Sequence, residues 1–358
     1  MQYYIKLILY IGLRVISLKI YSFYKNKKTI LALDIGSYSM KGVVGRFTGD
    51  LIEVHNKFCK LLTPYSYKKH ITTDTLSLQR ILESILYKKN FRAKSVICTI
   101  NNISIITREI ILPALKEKDL KNMINYELDK LFPIRLDDYV VQYKILGVVY
   151  ENDVKKYRIL VSVLPKQIAL EYLELFKKLK LKPIALDINS NCIHKLIELK
   201  PNINNNDRYL NQTIACIDFG YSYTNIIIFK KGIYKYNRII NLGTKDIDSN
   251  KLIENVGFSN KFSISNRDND FVQYLNKCLN EIDQIINYYL SRKEGNKIQQ
   301  ILIYGGLTNI ENIEDYIINY FNIPTSVINN FSNISYIKSD DSMDLSIYLN
   351  AIAALIRR

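Results

Sequence analysis

ILALDIGSYSMK at residues 30–41 and TIACIDFGYSYT at 213–224 are each an apolar run that ends in Asp-x-Gly. A strand that ends in Asp and turns sharply through Gly presents backbone N–H groups able to cradle phosphate oxygens, while the carboxylate holds water on a divalent cation. Hydroxyl side chains follow both turns, Ser37 and Ser39 in the first, Ser222 and Thr224 in the second, and Lys41 adds a point charge for a β- or γ-phosphate. One Asp-x-Gly is an ordinary strand-end turn. Two of them, 184 residues apart, are more specific. Each is also followed by a hairpin pattern: 42–47 with 51–54 across Gly49-Asp50, and 224–229 with 233–240 across Lys231-Gly232. The recurrence predicts two topologically related domains, each presenting a loop at a strand end.

The surrounding pattern is that of an α/β protein. Leu78, Ile81, Leu82 and Ile85 recur at helical spacing over 75–87, and 95–100 returns to a strand. A helix over 118–131 presents Leu120, Met123, Ile124, Leu128 and Leu131 on one face and is stopped by Pro133. Strands at 139–146 and 157–163 follow, then a helix with Ile168, Tyr172, Leu175, Phe176 and Leu179 on one face. The block 108–182 therefore reads as a small α+β module. A strand and helix span 183–199, and PNINNND at 201–207 reads as a linker. Downstream, 255–270 is rich in Asn, Ser and Asp, a helix covers 271–292, and a strand at 298–304 leads into Gly305-Gly306.

Composition narrows the function. The chain has 358 residues, enough for two cores, with 48% apolar and 23% charged residues, which excludes general disorder. Five dispersed cysteines with no CxxC argue against a disulfide framework, structural zinc or an iron–sulfur cluster. Three histidines, none in a Ser/His/Asp or HExxH spacing, argue against a His-based hydrolase or metalloprotease. The net charge is +16, and six of the excess cations lie in residues 1–28 before any acid. That segment's longest uncharged run, Leu7 to Leu13, is too short to span a bilayer, and no small-residue cleavage site follows it. It reads either as a peripheral membrane contact or as an extension outside the folded protein. Its apolar content disfavours nucleic-acid binding.

The order of these motifs resembles the actin/Hsp70/sugar-kinase ATPase superfamily, with DIGSYSMK (34–41) and DFGYSYT (218–224) as the two phosphate loops and IYGG (303–306) as the adenosine loop. Within it, four stretches resemble the PilM family of type IV pilus assembly proteins: LDIGSYSMK (33–41), ILPALKEKDLKNMINYELDKLFPIRLDDYVVQYKIL (111–146), LVSVLPKQIALEYLELFKKLKLKPIALDINSNCIHKL (160–196) and the C-terminal YLNAIAALIRR. The resemblance runs from about residue 30 to the end. It implies an actin-like ATPase fold: two RNase H-like domains flanking a nucleotide cleft, with an inserted 1C (SHS2) subdomain of the kind shared with the division protein FtsA. The boundaries expected are 1–28 for the extension, 29–107 for domain 1A, 108–182 for subdomain 1C, 183–205 for the connecting strand and helix, 206–345 for domain 2, and 346–358 for a helix returning to domain 1.

The resemblance further implies ATP with Mg²⁺ in the cleft. Asp34, Gly36, Ser37, Tyr38, Ser39, Lys41, Asp218, Gly220, Tyr221, Ser222, Thr224, Gly243, Gly305 and Gly306 are the expected nucleotide contacts, and Asp34 and Asp218 hold the metal through water. Asp187, at the end of the strand over 183–187, matches the region where relatives place a residue near the attacking water. The implied partner is the N-terminal peptide of a PilN-like membrane protein, received between 1C and the main domain, with other pilus platform or motor components as further partners. Tyr126, Phe132 and Ile134, near the Pro133 break, are the residues expected at an exposed partner contact. The implied location is cytoplasmic, at the inner face of the cytoplasmic membrane.

Departures from the family pattern leave a partly degenerate nucleotide site and imply no more than weak ATPase activity. Gly243-Thr244 stands where Gly-Gly is usual, no Ala-Glu-x-x-Lys occurs over 251–292, Ala353 replaces a Gly, and the adenosine loop lacks its later glycine. Two alternatives share the superfamily. An FtsA-like division protein needs a C-terminal linker and amphipathic helix, for which YLNAIAALIRR comes too soon. A small-molecule kinase needs a carboxylate base, for which Asp187 is the one candidate.

Overall fold

The computed structural model describes residues 29–62, 75–88, 91, 93–102, 104–131, 135–244, 262–263, 269–292, 294–337 and 344–357. Residues 1–28, Phe132, Pro133, Ile134 and most of 255–270 lie outside them. The first half runs β1 (Ile30–Ile35), β2 (Ser39–Thr48), β3 (Leu51–Leu61), α1 (Thr75–Lys88) and β4 (Ser95–Ile100). After these come β5 (Ile106–Pro113), α2 (Glu117–Leu131), β6 (Tyr139–Glu151) and β7 (Val154–Pro165), then α3 (Lys166–Lys178), β8 (Lys182–Ile188) and α4 (Asn189–Glu198). The second half runs β9 (Thr213–Phe219), β10 (Thr224–Lys230), β11 (Ile233–Ile240), β12 (Phe262–Ser263), α5 (Asn269–Ser291), β13 (Gln300–Gly305), β14 (Ile310–Glu311) and α6 (Ile313–Phe321). It closes with β15 (Thr325–Val327), β16 (Ile334–Tyr336) and α7 (Leu345–Ala354).

Two larger sheets result, ordered β16-β3-β2-β1-β4-β8 and β11-β10-β9-β13-β15. Their founding strands β1 and β9 are apolar on both faces because each is covered on both sides, as expected for a parallel neighbour in an α/β layer. Alternation sorts their side chains between cores. Leu31, Leu33 and Ile35 meet α1 and α3 through Leu78, Leu82 and Phe176, whereas Ala32 turns to the opposite core with Cys192, Ile193 and Leu196 of α4. On β9, Ala215, Ile217 and Phe219 meet α5 and α6, and Ile214 and Cys216 turn to that same α4 core, which α7 completes with Leu349, Ile352 and Ala353. Helices α4 and α7 thus fill the layer shared by both halves.

A separate three-stranded sheet, β5-β7-β6, carries α2 on one face, with Leu120, Ile124 and Leu128 set against Leu112, Ile159, Val161 and Val163. This is the inserted subdomain. The sequence places α3 inside it, within 108–182. In the structure Ile168, Leu175 and Phe176 of α3 instead join the core under the six-stranded sheet, so the insert's own core closes with β7. Strand β16, within the range expected for the second half, pairs in parallel with β3 of the first sheet. The stretch 201–207 is an ordered tie rather than a loose linker. Asn204 and Asn205 adopt φ of 52° and 60°, and the Asn204 Oδ1 accepts the backbone N–H groups of Asn329 and Asn330. Arg158 links the insert to the second half: its guanidinium donates to both Glu109 oxygens at 2.8 and 2.9 Å and to the Tyr234 carbonyl at 3.2 Å.

Candidate functional site

Both Asp-x-Gly loops fold into the same turn. The Gly36 N–H donates to the Ser39 carbonyl and the Gly220 N–H to the Tyr223 carbonyl, each at 3.1 Å. A Cβ at residue 220 would lie 2.7 Å from the Tyr223 carbonyl oxygen, which is why glycine stands there. The loops face each other across a cleft between the halves, joined by Lys41 on the first wall and by Gly305, Gly306 and Leu307 on the second. Gly305 adopts φ of 95°, a conformation that L side chains rarely enter, and a Cβ on it would meet the Asp218 Oδ1 at 2.6 Å. Phe271, Leu307, Ile310 and Ile347 give the cleft an apolar end.

Asp34 and Asp218 stand on opposite walls, 5% exposed each. Burial pushes the Asp34 carboxyl above its usual range, opposed by the Lys41 ammonium and a hydrogen bond from the Thr99 hydroxyl at 3.3 Å. Burial likewise lifts Asp218, to about 6, with the Asp34 charge adding to the rise and Asn350 working against it. The Asn350 Nδ2 donates to the Asp218 Oδ2 at 3.0 Å, and the amide of Asn189 also favours both carboxylates. The Oδ1 atoms of Asn189 and Asn350 are buried with no partner. Two carboxylates that are costly to ionise, with two unpartnered amide oxygens beside them, fit a hydrated divalent cation. A cage of direct ligands is not what the residues offer: no group of three or more His, Cys, Asp or Glu stands together among the described residues.

Of the residues expected to contact nucleotide, Asp34, Gly36, Ser37, Tyr38, Ser39, Lys41, Asp218, Gly220, Tyr221, Ser222, Gly305 and Gly306 line this cleft. Thr224 does not; its hydroxyl donates to the Leu242 carbonyl at 3.0 Å behind the second loop. Gly243 supports that loop from beneath, where a Cβ would fall 2.2 Å from the Tyr221 carbonyl oxygen, and its neighbour Thr244 lines the cleft instead.

Asp187 is absent from the cleft lining and lines a second cavity. Its carboxylate accepts from the Ile188 N–H at 2.9 Å and from the Asn191 amide and the Lys195 ammonium at 2.8 Å. Although burial opposes ionisation, Lys195 and Arg357 hold this carboxyl well below the usual range. Asn189, two residues on, takes the cleft position expected for Asp187. The physical reason is that β8 ends at Ile188 and α4 begins at Asn189, and this change from strand to helix sends the Asn189 side chain to the other cavity from Asp187 and Ile188.

The second cavity measures about 450 Å³ and lies between the insert and the six-stranded sheet. Leu160 and Leu164 of β7, Val140 of β6, Tyr172, Leu173 and Phe176 of α3 and Ile184 and Leu186 of β8 give it apolar walls. One end is ionic: Lys195 with Asp187, and Lys144 with Glu198 at 2.8 Å. β6 and β8 each stand at the edge of their sheet. Tyr126 belongs to neither cavity; it is 58% exposed on α2, with the Lys130 ammonium 3.9 Å from its ring centroid. Phe132 and Ile134 fall outside the described residues. The insert's wall toward the main sheet, and not its outer helix, forms the groove.

A duplicated α/β chain with matching Asp-x-Gly turns on both walls of an interdomain cleft defines the actin-like ATPase fold. The model of the family described as type IV pilus assembly protein PilM matches residues 32–355, and the chain belongs to that family. Among solved structures, it aligns with the PilM–PilN type IV pilus biogenesis complex at a TM-score of 0.73 and 14% identity, over 91% of this chain and 97% of that one. The ethanolamine utilization protein EutJ from Carboxydothermus hydrogenoformans aligns at 0.49 and 9% identity, over 92% and 88%. MreB5 of Spiroplasma citri bound to ADP aligns at 0.45 and 12%, over 91% and 95%. No helix among the described residues is long and apolar enough to cross a membrane.

Proposed function

We propose that this protein is a nucleotide-responsive adaptor of type IV pilus assembly, which takes ATP and Mg²⁺ in the cleft and the N-terminal peptide of a PilN-like membrane protein in the groove under the insert. Asp34 and Asp218 would hold the metal through water, assisted by the amides of Asn189 and Asn350. Bound there, the metal supplies neutralising charge for the phosphates and for the two carboxylates. Gly36 and Gly220 let their turns approach phosphate closely, Lys41 offers a cation from the first wall, and the apolar end by Phe271 and Leu307 suits a base. A kinase reading loses its base, because Asp187 is already engaged by three donors outside the cleft.

The observation that carries this reading is that two helices serve both cavities. Asn189 of α4 faces the cleft while Asn191, Lys195 and Glu198 line the groove; Ser346 and Asn350 of α7 face the cleft while Ile356 and Arg357, just beyond its end, line the groove. Lys195 ties the two helices by donating to the Ile356 carbonyl at 3.1 Å. A ligand that moves the cleft walls therefore has a rigid route to the groove, and Arg158 gives the insert a second link to domain 2. In this reading the protein works in the cytoplasm, at the inner face of the membrane that anchors its partner.

The test is the affinity of a labelled N-terminal peptide of the PilN-like protein from the same genome, measured by anisotropy with ATP, with ADP and without nucleotide, all with magnesium. A change of about fivefold or more is expected, and Asp218→Ala should abolish it. Equal affinities in all three conditions would defeat the proposal.

A further inference from the structure

The tips of the two phosphate loops touch. The Ser222 hydroxyl donates to the Ser37 Oγ at 2.7 Å, and the rings of Tyr38 and Tyr221 stack with centroids 4.8 Å apart and planes 21° from parallel. Counting from each aspartate, the third residue of one loop opposes the fourth of the other in both contacts: Ser37 against Ser222, Tyr221 against Tyr38. The sequences Ser-Tyr-Ser at 37–39 and Tyr-Ser-Tyr at 221–223 are offset by one residue. That offset sets like against like twice across the crossing. A register shift in either loop would set serine against tyrosine twice and lose both contacts.

We infer that these two pairs form an interdomain clasp that closes the cleft between the phosphate loops, so that a nucleoside diphosphate enters more readily than a triphosphate. The inference rests on the reading of the cleft as a nucleotide site. A terminal phosphoryl group gripped by hydroxyls from both loops needs them roughly 5 Å apart, two hydrogen-bond lengths of about 2.7 Å. In the clasp they are 2.7 Å apart. A third phosphate lying between the loops therefore has to break both the hydrogen bond and the ring stack, whereas phosphates resting on one loop need break neither. The loops are held in place from behind. The Leu62 N–H donates to the Tyr38 carbonyl at 2.8 Å, and the Thr244 N–H to the Gly220 carbonyl at 3.2 Å. The clasp thus joins two anchored walls, not two free tips.

The experiment compares the full chain with Tyr38→Ala, Tyr221→Ala and the double variant. Unfolding in urea without nucleotide reads the clasp itself. Both single variants remove the same stack, so the double variant should lose little more stability than either one; additive losses would overturn the clasp. Calorimetric titration with ADP and with ATP, both with magnesium, reads selectivity. The double variant is expected to shift the ratio of affinities toward ATP by about tenfold, the equivalent of 1.4 kcal/mol. Tyr38→Phe, which keeps the stack, should stay within about twofold of the wild-type ratio. A ratio unchanged in the double variant would overturn the selectivity. If neither nucleotide binds any of these proteins, the nucleotide reading fails and the selectivity with it, while coupled unfolding would still uphold the clasp as a tie between the domains.

Discussion

The cleft and the groove lie on either side of the same pair of helices, and their buried acids are held in opposite electrostatic states. In the cleft, burial raises Asp34 and Asp218, and among the described residues the cation lining it is Lys41 on the first wall. In the groove burial also opposes ionisation, yet Lys195 and Arg357 depress Asp187, and His194 and Lys144 depress Glu198 to about 2. The groove's acids are matched by cations of its own lining; the cleft's are not. A site that keeps two carboxylates in an unfavourable state retains binding energy for a cation, whereas the groove's acids are already paired and its other walls are largely apolar. This is the difference the proposed function needs, with a charged ligand in the cleft and a peptide in the groove.

The most severe way to break this comparison is to remove the groove's compensation. Lys195→Ala would leave Asp187 buried with the Ile188 N–H and the Asn191 amide as its hydrogen-bond donors and Arg357 as its compensating charge. A loss of about 4 kcal/mol is expected by urea unfolding near neutral pH, because deleting one partner of a buried pair strands the other. Both acids of the groove have folded-state affinities for protons below their unfolded ones. Their stabilisation is therefore present above the unfolded pKa and disappears as pH falls through the folded value. The penalty of Lys195→Ala should shrink in acid.

The opposite sign is expected in the cleft. Asp218 binds a proton more tightly folded than unfolded, with a value near 6 against 3.8. Its favourable contribution is complete below about pH 4 and is lost as pH rises through about 6. Asp218→Asn removes the cost of ionisation and should raise stability by about 2 kcal/mol at pH ~7.5, with the gain vanishing toward pH ~4. Nucleotide binding should weaken in the same variant. A mutation that stabilises the fold while disabling the site would sharpen the contrast; one that destabilises it at pH ~7.5 would show that Asp218 is compensated as fully as Asp187.

The sequence made one of these regions far more legible than the other. Asp34, Asp218, their glycines and Lys41 could be read because a strand, its terminal acid and its turn are contiguous, so local pattern carries the geometry. Asn189 and Asn350 could not, being 161 residues apart and brought together only by the packing of α4 on α7. One signal was available: Asn350 interrupts the apolar run of LSIYLNAIAA, and a polar residue kept in a fully buried helix has to have a polar neighbour. Asp187 came from the family resemblance, which matches a region of the chain and says nothing of which side a strand's last side chains take once a helix follows directly; it lines the groove, and Asn189 lines the cleft. The groove draws on five elements with no shared motif, so its lining could not be read from the sequence, whereas Tyr126 could, as an exposed residue of α2 that lies outside both cavities.

The mildest test concerns the helix that joins the two regions. Asp344 caps α7, its Oδ1 accepting from the Ser346 N–H at 3.0 Å and from the Ser346 hydroxyl at 2.6 Å. Asp344→Ala should cost about 1 kcal/mol, the usual worth of an N-cap, and it touches neither cavity directly. Its expected effect on binding is small but shared. If α7 acts as one rigid rod, loosening its first turn disturbs Ser346 and Asn350 in the cleft and, through the Lys195 contact to Ile356, the ionic end of the groove. Nucleotide and peptide affinities should then fall together by a similar small factor. A loss confined to nucleotide would mean that the far end of α7 is fixed independently, by the packing of Leu349, Ile352 and Leu355 into the shared core, and that communication between the cavities runs through α4 alone.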